Sequence, residues 1–285
     1  MGIALMAGVN SVVLSSIYIM VALGFALLLS VMGIFNFAHG SIYMVGAFFT
    51  YAMAVSLGIN QWLALAISII LIGAFGLFLE RFCLRPFGAN VFSVIVMSIA
   101  LTLILQGIAV VTVGGEVRAV PPFVPGVIKA GAIGIAIDRL VTMGTGIVLL
   151  TILTLFIRSK RGQQMLAVSQ DREGAALQGI DINRTAAIAC VLACALGALS
   201  GSLMASLYAL SPFMGDSMLM KAMEVVILSG IGSFGGILAG GAILGFMDAI
   251  LPLVVASHID TAITLGILIL ILLVRPKGLF GYELF

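Results

Sequence analysis

The sequence predicts an all-α integral membrane protein, a polytopic helical bundle of about eight to nine transmembrane segments with broken helices. Three observations carry that expectation. Of the 285 residues, 62% are hydrophobic and only 8% charged, and the mean hydropathy is +1.31. A soluble domain carries about a quarter charged residues because its surface must be solvated, so this surface is built to face hydrocarbon. The apolar residues also fall into runs of bilayer-spanning length, about 20 residues each. Finally, eight of the 24 charged residues (13 basic, 11 acidic) are gathered in one stretch, Arg158–Arg184.

Taken in order, the candidate spans are Val9–Met32, Ser41–Leu57, Trp62–Leu79, Val91–Val113, Leu140–Ile157, Thr185–Tyr208, Gly235–Val255 and Thr261–Val274. A shorter apolar piece, Met218–Ile231, reads as a half-helix or a tilted, partly re-entrant segment. No basic cluster precedes the first run, which is therefore read as a span and not as a removable signal peptide. The whole chain, residues 1–285, reads as one transmembrane domain with an inner loop at 158–184 and an outer loop at 114–139.

Orientation follows from the basic residues, which are retained on the cytoplasmic side. Arg81 and Arg85, five residues of the 158–184 stretch, and Arg275 with Lys277 account for nine of the 13. They share one side if Met218–Ile231 counts as a crossing, and the N-terminus then lies on the other. The outer loop contains VPPFVPG (Val120–Gly126), whose three prolines enforce extended backbone and turns. It reads as a small hairpin or lid on the membrane surface.

Glycine marks the breaks. Of the 34 glycines, many lie inside apolar runs, where small residues permit close helix approach. They concentrate at Gly33–Gly40 (GIFNFAHG) and Gly230–Gly241 (GIGSFGGILAGG), and both stretches begin Gly-Ile-x-(Asn/Ser)-Phe. This match suggests an internal repeat, and paired interruptions point to a transport pathway near the repeat interface. Candidate pathway residues are Asn36, Phe37, His39 and Gly40 in the first break and Gly230, Gly232 and Ser233 in the second. His39 either binds a solute or satisfies backbone groups at a helix boundary.

Acidic groups in apolar runs are costly and face protein or water. Glu224, three residues after Lys221, either lines the pathway or forms an ion pair on a shared helix face. Asp248, four residues before Pro252, reads as a packing or helix-end group. Glu80 with Arg81 sits at a membrane boundary, and His258 with Asp260 in an outer loop. Cys83, Cys190 and Cys194 show no metal spacing, and no metal site is expected. No G-x-x-x-x-G-K-[ST] loop occurs, so any nucleotide would be bound elsewhere. A net charge of +2 gives no footing for a nucleic acid.

The 158–184 stretch reads as two short helices at the inner surface, Gly162–Ser169 and Asp171–Leu177. Acidic residues open the second, as the helix dipole prefers. Gly179 is placed to end it in a left-handed conformation, and Asp181 to cap the next span.

Here the residues meet a family. Gln170-Asp171-Arg172-Glu173-x-Ala175-Ala176-x-x-Gly179-Ile180-x-x-x-Arg184 resembles the cytoplasmic coupling motif of branched-chain amino acid permeases of the LivH type, within the ABC importers. Met32-Gly33-x-x-Asn36-Phe37-Ala38-His39-Gly40 followed by Tyr43-Met44-x-Gly46-Ala47 resembles that family's N-terminal signature. Lys221-Ala222 followed by Gly230-x-Gly232-Ser233-x-x-Gly236 resembles its C-terminal one, and Arg275-Pro276-x-Gly278-Leu279-Phe280 its ending. The similarity runs from about Gly8 to Phe280. Glu224 departs from the family's usual neutral residue, and Ser229 from an expected glycine.

The resemblance implies a multi-pass subunit of a bacterial inner-membrane importer, moving branched-chain or other hydrophobic amino acids by alternating access. It implies a second, related permease subunit, so a heterodimer, two ATPase subunits and a periplasmic substrate-binding protein. ATP and Mg would be bound by the ATPases, with no cofactor and no catalysis in this chain. Asp171, Arg172, Glu173, Ala175, Ala176 and Gly179 would couple to an ATPase. The alternative is the same machine carrying urea, short amides or other small organic solutes. More distant are a passive aquaporin-like channel, suggested by Asn36-Phe37-Ala38, and an ion-coupled transporter using Glu224.

Overall fold

In the computed structural model, residues 2–88, 90–130, 133–230, 232–255, 259–276 and 278–280 are described. His258, Lys277 and Ile231 lie outside them. The chain is helical almost throughout. Helix α1 (Gly2–Met32) is followed by α2 (Ala38–Tyr51), which widens into a π-helical turn at Ala52–Ser56. Helix α3 (Gln61–Phe78) likewise runs into a π turn at Leu79–Leu84, before α4 (Val91–Val113). The outer loop forms a hairpin of β1 (Val127–Ala130) and β2 (Ile133–Ala136), antiparallel with Val127 opposite Ala136. Then come α5 (Ile137–Arg158), α6 (Lys160–Gln170), α7 (Arg172–Leu177), α8 (Ile182–Leu207), α9 (Met214–Ser229), α10 (Phe234–Val254) and α11 (Asp260–Val274). Six of these helices (α1, α3, α4, α5, α8 and α10) are long and apolar enough to cross a membrane. Among the described residues one further apolar helix, α11, is shorter, so the expected eight to nine spans stand as an approximate count. This is a polytopic helical membrane protein.

The bundle has two chemically distinct ends. At the basic end, Glu80 and Asp181 both raise the pKa of the Arg85 guanidinium, Glu80 first, through its hydrogen bond. The same end holds Leu279, whose N–H donates to the Leu228 carbonyl (2.8 Å). At the hairpin end, the backbones of Arg118 and Leu210 pair reciprocally (2.9 and 2.8 Å). Gln61 there donates to the Pro121 carbonyl, and Arg139 to Asn10 near the start of α1. These contacts place the first residues of α1 at the hairpin end and run α9 from that end to the basic one, as the charge count requires.

Glycine sets how closely the helices approach. Lipid tails are as apolar as the side chains, so packing rather than water exclusion holds the helices together. On α10, a Cβ added to Gly241 would overlap Ile19, and one on Gly245 would overlap Ser15, both on α1. Gly46 of α2 sits on Ala198 of α8, while Gly201 of α8 sits on the Tyr43 carbonyl. One close pair is reciprocal: a Cβ on Gly40 meets the Gly215 carbonyl, and one on Gly215 meets that of Gly40. Where the backbones touch, hydroxyls fill in; Ser68 and Ser202 both donate to the Gly46 carbonyl (2.9 and 3.2 Å).

The two glycine breaks have different geometries. Gly33 (φ 70°) turns the chain back into the bundle, and α2 begins there only at Ala38. Gly230 (φ 89°) ends α9 with Gly278 of the C-terminal segment pressed against its backbone, whereas a Cβ added to Gly33 would meet nothing within 4 Å. The two like stretches therefore break the chain in different surroundings. Helix α9 starts at Met214, four residues before the expected Met218. Its 16 residues span about 24 Å, short of the ~30 Å hydrocarbon core.

Overpacked cores lose roughly 1–3 kcal/mol. Gly201→Val should therefore lower the melting temperature of the purified protein. Gly144→Ala, where an added Cβ meets nothing within 4 Å, should leave it unchanged or raise it slightly. Thermal unfolding in detergent checks the pair.

Candidate functional site

Three groups of polar residues stand out against the apolar bundle. The first is the surface element at the basic end. The Ser159 hydroxyl accepts from the Gly162 N–H (3.3 Å) and starts α6, whose Met165 and Val168 are buried against the bundle. Asp171 Oδ1 accepts from the Gly174 N–H (2.9 Å) and starts α7. At the other end of α7 the Ile180 N–H reaches back to the Ala175 carbonyl (3.1 Å) and the Gly179 N–H to that of Ala176 (3.0 Å). Gly179, at φ 80°, makes that paired closure possible. Asp181 Oδ1 then caps α8 through the Arg184 N–H (3.0 Å).

This punctuation fixes what α7 offers. Ala175 is buried and holds the helix to the bundle, whereas Asp171, Arg172, Glu173, Ala176 and Gly179 are exposed. Leu177, at the tip, is 89% exposed. Glu173 makes no ion pair among the described residues. The result is a rigid six-residue helix with an apolar tip and unspent charge. Both expected surface helices are present, with Ser159 as the start signal that the sequence reading missed.

The second group surrounds the start of α2, inside the bundle. Asn36 Oδ1 accepts from the Ala38 N–H (3.1 Å), and the Ser98 hydroxyl of α4 accepts from the Phe37 N–H (3.2 Å). His39 is fully buried, and its Nε2 donates to the Val21 carbonyl of α1 (3.1 Å). Gly24 makes room for the imidazole: a Cβ there would lie 2.8 Å from its Cε1. Donating from Nε2 leaves Nδ1 as an acceptor, and it has no partner. Asn36 Nδ2, Ser41 Oγ and Tyr43 Oη are also buried without one. Each such group costs about 1–3 kcal/mol if left unsatisfied. Four lie within eight residues. Beside them Phe37, Thr102 and Asp216 line a recess of about 160 Å³, and Gln106 of α4 donates to Asp216 (2.8 Å).

The third group is ionic. Lys221 Nζ of α9 lies 3.2 Å from Glu224 Oε2 and 3.0 Å from Asp248 Oδ2 of α10. Tyr18 of α1 donates to the same Asp248 oxygen (2.7 Å). Asp248 is thus neither a helix end nor simple packing: α10 continues to Val254, and its carboxylate joins three helices. One ammonium faces two carboxylates. Glu80 also differs from expectation, pairing in bidentate fashion with Arg85 (2.9 Å twice) and not with Arg81. The π turn explains it, because its i to i+5 spacing brings those two residues together.

The structure brings Asn36, Phe37, His39 and Gly40 together where α1, α2, α8 and α9 meet. It does not bring Gly230, Gly232 and Ser233 to them. Gly40 touches α9 at Gly215, and Gly230 follows 15 residues later, about 22 Å along that helix. Ser233 caps α10 through the Gly236 N–H (3.0 Å) at the basic end. Ser41, Tyr43, Gln106, Asp216 and Lys221 were not singled out as site residues. Gln106 carried a signal, as the one carboxamide in an otherwise apolar span.

Known proteins place this arrangement. The family described as branched-chain amino acid transport system / permease component matches residues 8–273. The chain is 31% identical to the high-affinity branched-chain amino acid transport system permease protein LivH of Escherichia coli K12, over 95% of this chain and 94% of that one. It is 31% identical to the corresponding permease protein BraD of Pseudomonas aeruginosa, over 96% and 94%. Among solved structures, PsaBC from Streptococcus pneumoniae in complex with Fab aligns with a TM-score of 0.51, over 94% of this chain and 91% of that one. At 16% identity that likeness speaks to the fold alone. Matched along nearly its whole length, this chain belongs to the family of branched-chain amino acid transport system permease components.

Proposed function

We propose that this chain is the membrane subunit through which an ATP-driven importer moves branched-chain or other hydrophobic amino acids across a bacterial inner membrane. The observation that carries this reading is full-length family membership combined with the exposed, doubly capped α7. The chain has no nucleotide loop of its own, so the energy arrives through a partner. In this reading α7 is the handle, with Asp171, Arg172, Glu173, Ala176 and Gly179 facing an ATPase and Ala175 anchoring them. A second, related permease subunit, two ATPases that bind ATP and Mg, and a periplasmic binding protein complete the machine. The chain itself needs no cofactor and makes no covalent bond.

Movement of α7 passes to α6, and α6 packs against α1, α5 and α8. Helix α1 in turn carries the Val21 carbonyl that holds His39 and the Tyr18 hydroxyl that holds Asp248. A shift at the basic end therefore reaches both internal polar groups. The solute path runs past the start of α2. There Asn36, Phe37, His39 and Gly40, joined by Ser41 and Tyr43, offer donors and acceptors that a polar solute satisfies as the bundle opens. A helix N-terminus favours negative charge, which suits the carboxylate of a zwitterion. Glu224 supplies the complementary charge, since Lys221 cannot neutralise both its neighbours. Gly230, Gly232 and Ser233 act as a hinge at the basic end. Urea or short amides are a second cargo reading, favoured by the unusual Glu224 and Ser229. Binding of leucine, urea and acetamide to the partner binding protein separates the two.

Three outcomes test this reading. Glu173→Ala and Gly179→Val should still insert but lose the ATPase subunits on co-purification. A docking contact worth ~2 kcal/mol corresponds to a roughly 30-fold loss of affinity; normal transport by these variants contradicts the handle. Glu224→Gln should change uptake rate or solute preference with thermal stability nearly unchanged, because Lys221 keeps Asp248. Lowered stability with unaltered kinetics would make it a structural pair. Lys221→Met leaves two carboxylates facing each other and should destabilise by about 3–5 kcal/mol, read by denaturant or thermal unfolding.

A further inference from the structure

A second concavity has no part in the solute path. It is a cleft of about 820 Å³ on the outside of the bundle, between α2 with its π turn, α3 and α4. Its inner half is purely apolar, lined by Phe48, Leu71, Ile72, Phe75, Leu105 and Ile108. Its polar lining residues, Tyr51, Ser56, Thr112 and Arg118, lie towards the hairpin end. The cleft is therefore graded along the membrane normal, greasy in the middle of the bilayer and polar at its surface.

Its dimensions fit one leaflet. Along α2 and the π turn it runs from Val45 to Ser56, about 16 Å at 1.5 Å per residue. Along α4 it runs from Leu105 to Val113, about 12 Å. Half of a ~30 Å hydrocarbon core is about 15 Å. The surrounding faces of α3 and α4 expose Ile70, Leu103, Ile104 and Val111, as helices in contact with lipid do.

Arg118 gives the mouth its chemistry. Its backbone is pinned to Leu210, and its Nη2 donates to the Val113 carbonyl at the end of α4 (3.1 Å). Its Nε is buried with no partner. The guanidinium is thus fixed at headgroup depth with donor capacity to spare, and no acidic residue lines the cleft; the nearby Glu116 is exposed and outside it. A planar, always-charged guanidinium suits a phosphodiester. We propose that the cleft is a lipid site, holding one glycerophospholipid of the hairpin-side leaflet with its phosphate on Arg118 and an acyl chain between α2, α3 and α4. The lipid completes a wall of the bundle that protein alone leaves open, on the helix whose start carries Asn36 and His39.

Native mass spectrometry of the full chain, purified in a phosphate-free maltoside detergent, tests this. The wild type should retain a single phospholipid after exhaustive washing. Arg118→Gln should lose most of it, Arg118→Lys should keep it, and Thr112→Trp, which fills the polar mouth, should release it. Equal retention in all four proteins overturns the proposal, as does a wild type that retains none. Cysteines placed at Phe49 and Ile108, both lining the cleft and more than a third exposed, report the alternative occupant. Carrying a maleimide-linked benzophenone, which on irradiation inserts into C–H bonds of whatever lies beside it, these cysteines would capture a neighbouring polypeptide in native membranes if protein covers the cleft, which contradicts a lipid site; capture of phospholipid supports one.

Discussion

Everything inside this bundle answers to one requirement: hydrocarbon satisfies no backbone polar group. Helix α2 nevertheless begins inside the protein, and its first N–H groups must find partners there. Asn36 supplies a carboxamide oxygen, Ser98 a hydroxyl, and His39 ties the turn to the Val21 carbonyl of α1. Those bonds form only if α1 and α4 come close, which is why Gly24 lies under His39, and on the other side Gly40 lets α9 approach at Gly215. The glycine pattern and the broken helix are thus one feature. It leaves four polar atoms unpaired, which on the proposed solute path would be offered to a polar solute.

Charge is placed by the same rule in two ways. Where water is available, at α6 and α7, charged residues stay exposed and the backbone is finished with side-chain caps. Where it is not, Lys221 is shared between Glu224 and Asp248, with Tyr18 as an added donor to Asp248. The two settings are linked through α1, which packs against α6 at one end and carries Tyr18 and Val21 further along. In the proposed coupling, a push on the solvated element would reach the buried polar groups along α1 without any charge crossing the membrane.

What the sequence disclosed and what it withheld divide along the line between local and non-local chemistry. The cap at Asp181 and the left-handed Gly179 were legible because each acts within about five residues of itself; Asp171, expected within the first turn of α7, sits one place earlier and caps it. The span at Val91–Val113 was legible to the residue from its apolar run, and in the structure the Asn90 carboxamide starts that helix by accepting from the Phe92 N–H (3.0 Å). The partners of Glu80 and Asp248 were not. One depends on a π turn, which has no simple sequence signature, and the other on three helices distant in sequence. The early start of α9 at Met214 was hidden for a related reason: Gly215 and Asp216 break the apolar run, and only Gly40 and Gln106 explain why they are helical. The likeness of the two glycine stretches was visible as a pattern, but not that Gly33 stands clear of other groups while Gly230 is pressed by Gly278, a contact distant in sequence.

The central claim is that this chain conducts only when a partner hydrolyses ATP. Reconstitution into liposomes, with radiolabelled leucine and the cognate binding protein outside, measures it directly. Uptake should require the second permease, the ATPases and internal ATP together, and the chain alone should give none. Leucine entry through the chain alone, or entry driven by an imposed proton gradient without ATPases, would contradict it.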